Sequence, residues 1–199
     1  MSGAEQTDDY KWTLGVRYIQ GQIDRATLRT TITYRPVPRL SLGIEYNPLA
    51  SDVNPLVNWL AVKETERRPA LILGTSSDRI GTPSGQAYYA TVSKNLKPWT
   101  KLPIAPYVGA AYGTFNEKIR AIAGGNIAFT EHVSSLLIYD GVNFHPTVSW
   151  SQGRHVLTLL LVELKSPGLA YTISFDPPSR STPAQRRPSE PFTRPGWPR

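Results

Sequence analysis

The stretch Tyr10-Lys11-Trp12-Thr13-Leu14-Gly15-Val16-Arg17-Tyr18 decides the fold. Each even position holds an apolar or aromatic side chain, and each odd position a polar, charged or glycine residue. Successive side chains of a strand point to opposite faces, so this segment is a ribbon with one apolar and one wet face. After a turn at residues 21–24 the pattern returns. Ala26, Leu28, Thr30, Ile32 and Tyr34 alternate with Arg25, Thr27, Arg29, Thr31, Thr33 and Arg35, and then Leu40, Leu42, Ile44 and Tyr46 alternate with Ser41, Gly43, Glu45 and Asn47. Three such ribbons joined by tight turns predict an antiparallel meander.

The alternation continues along the chain and predicts about twelve strands. The first three end near residues 22, 35 and 47, and the next five cover 56–62, 70–75, 86–93, 104–112 and 118–128. A hairpin follows, with arms 133–139 and 143–151 joined across Asp140-Gly141, a dipeptide that favours two-residue turns. Residues 155–164 and 170–175 complete the set. Within 155–164 the run from Leu157 to Val162 is apolar but for Thr158, so periodicity does not separate strand from buried helix there. The neighbouring strands, Gly153 and Pro167-Gly168 favour a strand. The expected fold is all-β, an up-and-down meander closed into one barrel over residues 10–175. A polar segment, 1–9, precedes it, and a Pro- and Arg-rich tail, 176–199, follows it. The tail's composition cannot bury a core.

The chain has 199 residues, a net charge of +7 and no cysteine. That excludes a disulfide framework and cysteine-based catalysis or metal binding. No run approaches the roughly 18 apolar residues of a membrane helix. A membrane barrel stays open, because its apolar residues are diluted one-to-one by lumen residues. The N-terminus, Met1-Ser2-Gly3-Ala4-Glu5-Gln6-Thr7-Asp8-Asp9, is polar and acidic, with no secretory signal in the chain as given.

Which face is outward decides the function class. In a soluble barrel the apolar face lines the inside; in an outer-membrane barrel it meets lipid and the lumen is polar. The strand lengths suit a tilted bilayer crossing. Aromatics gather toward strand ends: Tyr10, Trp12, Tyr18, Tyr34, Tyr46, Tyr107, Tyr112, Trp150 and Tyr171. Such rings favour the membrane–water interface. About twelve strands lined with apolar groups would also enclose a large greasy void, which a hydrated lumen avoids. A soluble barrel binding an apolar ligand is the alternative.

Segments 13–46 and 170–175 resemble bacterial outer-membrane β-barrels of the small porin-like class. Tyr171-Thr172-Ile173-Ser174-Phe175 is similar to the terminal aromatic signature of those barrels, although here 24 residues follow Phe175. The resemblance implies a bacterial outer-membrane location and a lipid bilayer as partner. It also implies passive passage of small polar solutes or a structural role in the envelope.

Arg17, Arg25, Arg29 and Arg35 fall on the polar face of the first two strands and would form a cationic stripe in a lumen, attracting anions. The competing reading pairs them with Glu45, Glu64 or other lumen carboxylates. Small residues such as Gly43, Gly109, Ala111 and Gly124 leave room inside for a passage. The interfacial aromatic candidates are Tyr10, Trp12, Tyr18, Tyr34, Tyr46, Trp150 and Tyr171. His145 and Ser149 share a face, and one twelve-stranded outer-membrane family is a phospholipase with a His–Ser pair spaced by two. Here Thr147 stands at that spacing, and nothing else completes a nucleophile, base and orienter. No catalytic, cofactor or metal site is expected. The charges are interspersed along the chain, so no nucleic-acid partner is expected. A protein partner in the envelope could engage the tail through Arg186-Arg187 and its prolines.

Overall fold

The structure, a computed structural model, describes residues 10–176. In chain order the elements are β1 (Trp12–Ile19), α1 (Asp24–Thr27), β2 (Leu28–Val37), β3 (Leu40–Asn47), a 3-10 turn (Pro48–Ala50), β4 (Asp52–Val62), β5 (Ala70–Ser77), β6 (Gln86–Ser93), α2 (Lys97–Thr100), β7 (Ile104–Gly113), β8 (Lys118–Ala128), β9 (Val133–Tyr139), β10 (Phe144–Gln152), β11 (His155–Val162) and β12 (Ser166–Phe175). Each strand pairs antiparallel with its chain neighbour, and β12 pairs with β1 from Trp12 opposite Phe175 to Ile19 opposite Gly168. The twelve-stranded up-and-down barrel is therefore closed and leaves no strand edge unpaired. Beside the seam the Lys11 amide donates to the Asp176 carboxylate at 2.8 Å. The expected polar segment 1–9 and the expected Pro- and Arg-rich tail beyond Asp176 lie outside the described residues.

Three strand starts differ from the sequence expectation by three or more residues. Arg25 and Ala26 do not begin a strand; they sit in α1, where the Ile23 carbonyl accepts the amides of Ala26 (2.8 Å) and Thr27 (3.0 Å). The Thr27 hydroxyl also donates back to the Gln22 carbonyl at 2.8 Å, which holds the turn. β4 starts at Asp52 rather than near residue 56 and carries Pro55 inside it. The proline is tolerated because β5 pairs with β4 only from Val57 onward, so Pro55 lies beyond that ladder. β12 starts at Ser166 and runs through Pro167-Gly168. A side chain at Gly168 would come within 2.9 Å of the Tyr18 carbonyl, so glycine there permits close strand approach rather than ending the strand.

The apolar face points outward. Val108 on β7 and Leu159 on β11 are 60% and 61% exposed, and Leu14, Val16, Leu42, Ile44 and Leu169 are also exposed. At the mouth formed by α1 and the β3–β4, β5–β6, β7–β8, β9–β10 and β11–β12 connections, the outward face carries Tyr18, Tyr46, Tyr88, Tyr112 and Phe144. Near the other mouth, which carries both termini, it holds Trp12, Tyr34, Trp59 and Trp150. The Trp12 and Tyr34 rings meet across β1 and β2 with centroids 4.7 Å apart, tilted by 36°. Strands of 7 to 11 residues, taken at a rise of ~3.3 Å per residue and a tilt of ~40°, give a band of ~23 Å.

The inward face is mixed. Buried polar groups include Glu45, Asn47, Asn54, Thr91, Ser93, Thr147 and Ser174, beside buried Ile19, Ala87, Ala105 and Val162. β11 is apolar on both faces: Val162 is fully buried inside while Leu157, Leu159 and Leu161 are exposed outside. That is why its run shows no alternation. Tyr107 points inward, not to a rim, and its ring lies over Gly124, 2.6 Å from where a Cβ would stand. The Tyr89 ring covers Gly74 in the same way, at 2.4 Å. At Gly43 and Gly109 the backbone of the neighbouring strand takes the space. These glycines accommodate rings and close strand contacts; they do not open a passage.

The meander also sorts the charges. At the mouth with the termini, the β2–β3 turn carries Arg39 and the β4–β5 connection Lys63, Arg67 and Arg68 against Glu64 and Glu66. The β6–β7 connection adds Lys94, Lys97 and Lys101 with no acidic residue, and the β10–β11 turn adds Arg154, against Glu131 on β8–β9. At the opposite mouth acidic residues are in slight excess: Asp24, Asp52, Asp78, Glu117, Asp140 and Glu163 against Arg25, Arg79, Lys118 and Lys165. The charges interspersed in sequence are segregated in space.

Candidate functional site in the barrel interior

The β1–β2 register places Arg17 directly opposite Arg29, both on the inward face. Two like charges facing each other across strands repel, so something must compensate them. Glu45 does so in part: its Oε2 lies 2.6 Å from Arg29 Nη2, and its Oε1 accepts from Asn47 Nδ2 at 3.0 Å. Arg29 and Glu45 meet because β2 pairs with both β1 and β3, which places Glu45 one residue pair away from Arg29 on the inner wall. Among the described residues no carboxylate stands within ion-pair distance of Arg17, and its buried Nε has no hydrogen-bond partner. It lines an interior cavity of about 290 Å³ with Arg25, Arg29, Arg79, Glu45 and His145.

Arg25 reaches the same cavity from α1 and performs a different task. Its Nε pairs with Asp52 Oδ2 at 2.7 Å, its Nη1 donates to the Thr82 carbonyl and hydroxyl at 3.0 and 2.9 Å, and its Nη2 donates to the Gly85 carbonyl at 2.7 Å. Thr82 and Gly85 belong to the β5–β6 connection, and Thr82 is 1% exposed. The guanidinium therefore pins that connection into the barrel mouth. Gly81 and Gly85 take positive φ values there, 91° and 103°, which glycine adopts without steric cost.

The same connection supplies Arg79, which the stripe reasoning missed. Its Nη1 donates to the Ile80 carbonyl at 3.3 Å, and among the described residues it has no carboxylate within ion-pair distance. Only the depth of the inward fold of residues 78–85 brings it inside, and no periodicity in a loop signals that. Asp78 next to it accepts the Arg79 amide at 2.7 Å and the Phe115 amide at 3.1 Å, and its carboxylate fills the space over Gly113. A second cavity of about 170 Å³, lined by Asp78, Arg79, Tyr89, Tyr107, Lys118 and Arg120, adjoins the first along Ser76–Arg79.

The four candidate arginines thus split. Arg17, Arg25 and Arg29 converge on one cavity. Arg35 sits at the opposite mouth, where its amide bonds the Lys11 carbonyl at 2.8 Å, six residues or ~20 Å along β2 from Arg29. Glu64 also lies there, bonding the Asn95 amide at 3.0 Å and standing 3.7 Å from Lys94 Nζ, so it pairs with none of the interior arginines. Among the interfacial candidates, Trp12, Tyr18, Tyr34, Tyr46 and Trp150 stand toward strand ends on the outside, and Tyr10 directly precedes β1. Tyr171 is outward but mid-strand, opposite Val16, and its hydroxyl meets His155 Nδ1 at 2.6 Å. A hydroxyl set into an apolar band needs such a partner.

His145 does not stand as a free base. Its Nδ1 accepts the Glu163 amide at 3.1 Å and its Nε2 faces Asp140 Oδ2 at 3.0 Å. Ser149 Oγ shares a hydrogen bond with Thr158 Oγ1 at 2.8 Å. Asp140 also accepts the Val142 and Asn143 amides at 2.9 and 2.8 Å, and Asn143 Nδ2 donates to Glu163 Oε1 at 2.9 Å. The set joins the β9–β10 and β11–β12 turns. Burial pushes the Asp140 carboxyl up, but the hydrogen bonds from His145 and the two amides outweigh it and hold its pKa below the usual range. Among the described residues, no three His, Asp or Glu side chains group to hold a metal ion.

No protein-family model matches the chain, and no curated protein matches it.

Proposed function

We propose that the chain is an outer-membrane-type β-barrel whose apolar outer face contacts lipid and whose interior passes small polar solutes, with a preference for anions. The observation that carries the reading is the outward apolar face of a closed barrel, with aromatic residues toward both rims and charged groups turned inward. In water, such a face would leave most of the molecule's large apolar side chains solvated, against the usual limit on contiguous apolar surface. A band of ~23 Å suits the apolar height of this class. No helix of the described residues is long and apolar enough to cross a membrane, so any crossing falls to the strands.

Anion preference belongs to Arg17 and Arg79. Arg25 and Arg29 are matched by Asp52 and Glu45, whereas Arg17 and Arg79 have no carboxylate within ion-pair distance among the described residues. An unmatched guanidinium between low-dielectric walls gives the interior a positive potential that attracts anions. The test has two steps. Folding is compared in plain buffer and in neutral detergent micelles by circular dichroism and size-exclusion; a monodisperse β protein in plain buffer would remove the membrane reading. Planar-bilayer conductance in a salt gradient then gives the selectivity. A reversal potential unchanged in the double variant Arg17→Gln, Arg79→Gln would remove the anion assignment.

A structural role in the envelope is the second reading. One observation favours it: the β5–β6 connection is folded into the mouth and held by Arg25, with Tyr89 and Tyr107 occupying interior space. Absence of conductance in a correctly folded wild-type barrel supports this role over passage.

A further inference from the structure

We infer that the mouth carrying the termini is a binding surface for anionic phospholipid headgroups, built on the β4–β5 and β6–β7 connections. The inference rests on the membrane reading above. The two connections form one platform. Lys94 Nζ donates to the Thr65 carbonyl and, at 2.9 Å, to the Glu66 carbonyl, and the Asn95 amide bonds Glu64 Oε1 at 3.0 Å. These bonds use up Lys94 and Glu64 as struts. Lys94 Nζ also stands 4.7 Å from the Trp99 ring centroid and orients the ring.

The platform then presents Arg67, Arg68, Lys97 and Lys101, all exposed and none with a carboxylate partner among the described residues. Lys97 and Lys101 are one turn apart across α2, and the Lys101 amide bonds the Lys97 carbonyl at 3.0 Å, so both stems leave from one small turn. Between and beside them stand Trp99 and Leu102, 61% and 55% exposed. A tryptophan and a leucine held out beside four unmatched cations fit neither bulk water nor the bilayer core. They fit the headgroup layer, where indole is favoured and phosphates meet Lys and Arg. Charge complementarity alone would also admit nucleic acid. The platform, however, joins β6 and β7, whose outward residues Tyr88, Val92, Val108 and Tyr112 are exposed on the apolar outer face, which favours a lipid surface.

The opposite mouth offers no such surface, because its acidic residues outnumber its basic ones. The full chain also carries Glu5, Asp8 and Asp9 ahead of β1, and that acidic segment is a competing occupant to be tested.

The experiment titrates the folded full-length chain in dodecyl maltoside micelles with short-chain phosphatidylglycerol or phosphatidylcholine, reading tryptophan fluorescence and bound lipid by native mass spectrometry. Phosphatidylglycerol is expected to bind at least tenfold more tightly, with the preference shrinking as salt rises. The variant Arg67→Gln, Arg68→Gln, Lys97→Gln, Lys101→Gln should lose the preference. The control Lys118→Gln, Lys165→Gln, at the other mouth, should keep it. Equal binding of the two lipids overturns the inference, as does a preference that survives in the fourfold variant. A preference that appears only after deletion of residues 1–9 assigns the surface to that segment and also overturns it. These outcomes are read on a protein already folded in micelles, so they are separate from the buffer-folding result that would sink the membrane reading itself.

Discussion

Replacing Val108 by arginine separates a lipid-facing barrel from a soluble one. Val108 lies at the centre of β7, between Val92 on β6 and Ala123 on β8, and is 60% exposed on the outer face. In a water-soluble protein such a position is tolerant, and surface changes of this kind stay within about 0.5 kcal/mol. In a bilayer the new guanidinium would stand at the midplane of the apolar band, where arginine on the lipid face of a barrel costs about 2–4 kcal/mol. A cost of about 3 kcal/mol is a factor of roughly 150 in the folding equilibrium constant. The control is Gln152→Arg, at an exposed position where β10 ends; the interfacial cost there is about 0–1 kcal/mol. Reversible urea unfolding from phospholipid vesicles, followed by tryptophan fluorescence, measures both. The expected result is a large loss for Val108→Arg and a small one for Gln152→Arg. If the two variants lie within about 0.5 kcal/mol of each other and of the parent, the outer face does not contact lipid.

Three further predictions concern the interior and its turns. Arg25→Ala removes a buried cation bonded to Asp52, Thr82 and Gly85. It should cost about 3 kcal/mol, the low end for a broken buried pair because Asp52 stays partly solvated. It should also raise conductance by releasing the β5–β6 connection; a variant as stable and as closed as the parent would contradict the pinning role. Adjacent glycines should respond oppositely: a Cβ at Gly124 would stand 2.2 Å from the Leu137 carbonyl, whereas at Gly125 the nearest atom is 3.4 Å away. Gly124→Ala is therefore expected to cost about 1–3 kcal/mol, and Gly125→Ala to be neutral or slightly stabilising; equal effects by urea unfolding would show that Tyr107 does not pack there. Asp140 gives the pH dependence. Its folded pKa is depressed, so its contribution is present above the unfolded value of about 3.9 and is lost as pH falls through the folded value. Amide exchange at Val142 and Asn143 should accelerate below about pH 4 in the parent, and Asp140→Asn should abolish that acid step; an unchanged step means another carboxylate governs the turn.

The barrel was legible because closure leaves a period-two signal wherever one face is apolar and the other polar. β1, β2 and β3 carry it cleanly and pair in the register their alternation implies. The boundaries that failed were those where backbone constraints outweigh pattern. Arg25 alternates in phase with Arg29 yet sits in α1, because the amides of Ala26 and Thr27 find the Ile23 carbonyl before the ladder begins. Gly168 reads as a turn and serves as a close-contact point within β12. The interior site was half legible. Arg17, Arg29 and Glu45 share a face through strand periodicity and meet as that periodicity implies. Arg79 came from a connection that folds inward, and a loop has no period to read.

The glycines show a related failure with a physical lesson. A small residue on an inner face reads as free space, but in a tightly curved sheet that space is where the neighbouring wall goes. Gly124 faces the Tyr107 ring and Gly74 the Tyr89 ring, so each glycine marks a filled position rather than a lumen. The free interior volume lies instead beside Arg17 and Arg79.

Charge segregation was hidden for a topological reason. In a meander, successive connections alternate between the two mouths, so clusters at residues 63–68 and 94–101 are separated in sequence by the balanced pair Asp78 and Arg79, which belongs to the other end. Read linearly the signs look mixed; sorted by the parity of the connection they divide. Composition therefore understates the asymmetry of any up-and-down barrel. A polar difference between mouths has a consequence in an anionic membrane, since each exposed cation near the surface contributes about 1 kcal/mol. The four unmatched cations of the β4–β5 and β6–β7 platform would favour one orientation over its inverse by several kcal/mol, well beyond thermal energy. Proteolysis of the barrel in sealed phosphatidylglycerol vesicles should then cut one mouth and spare the other, and cutting at both with equal yield would show that the segregated charge does not orient the chain.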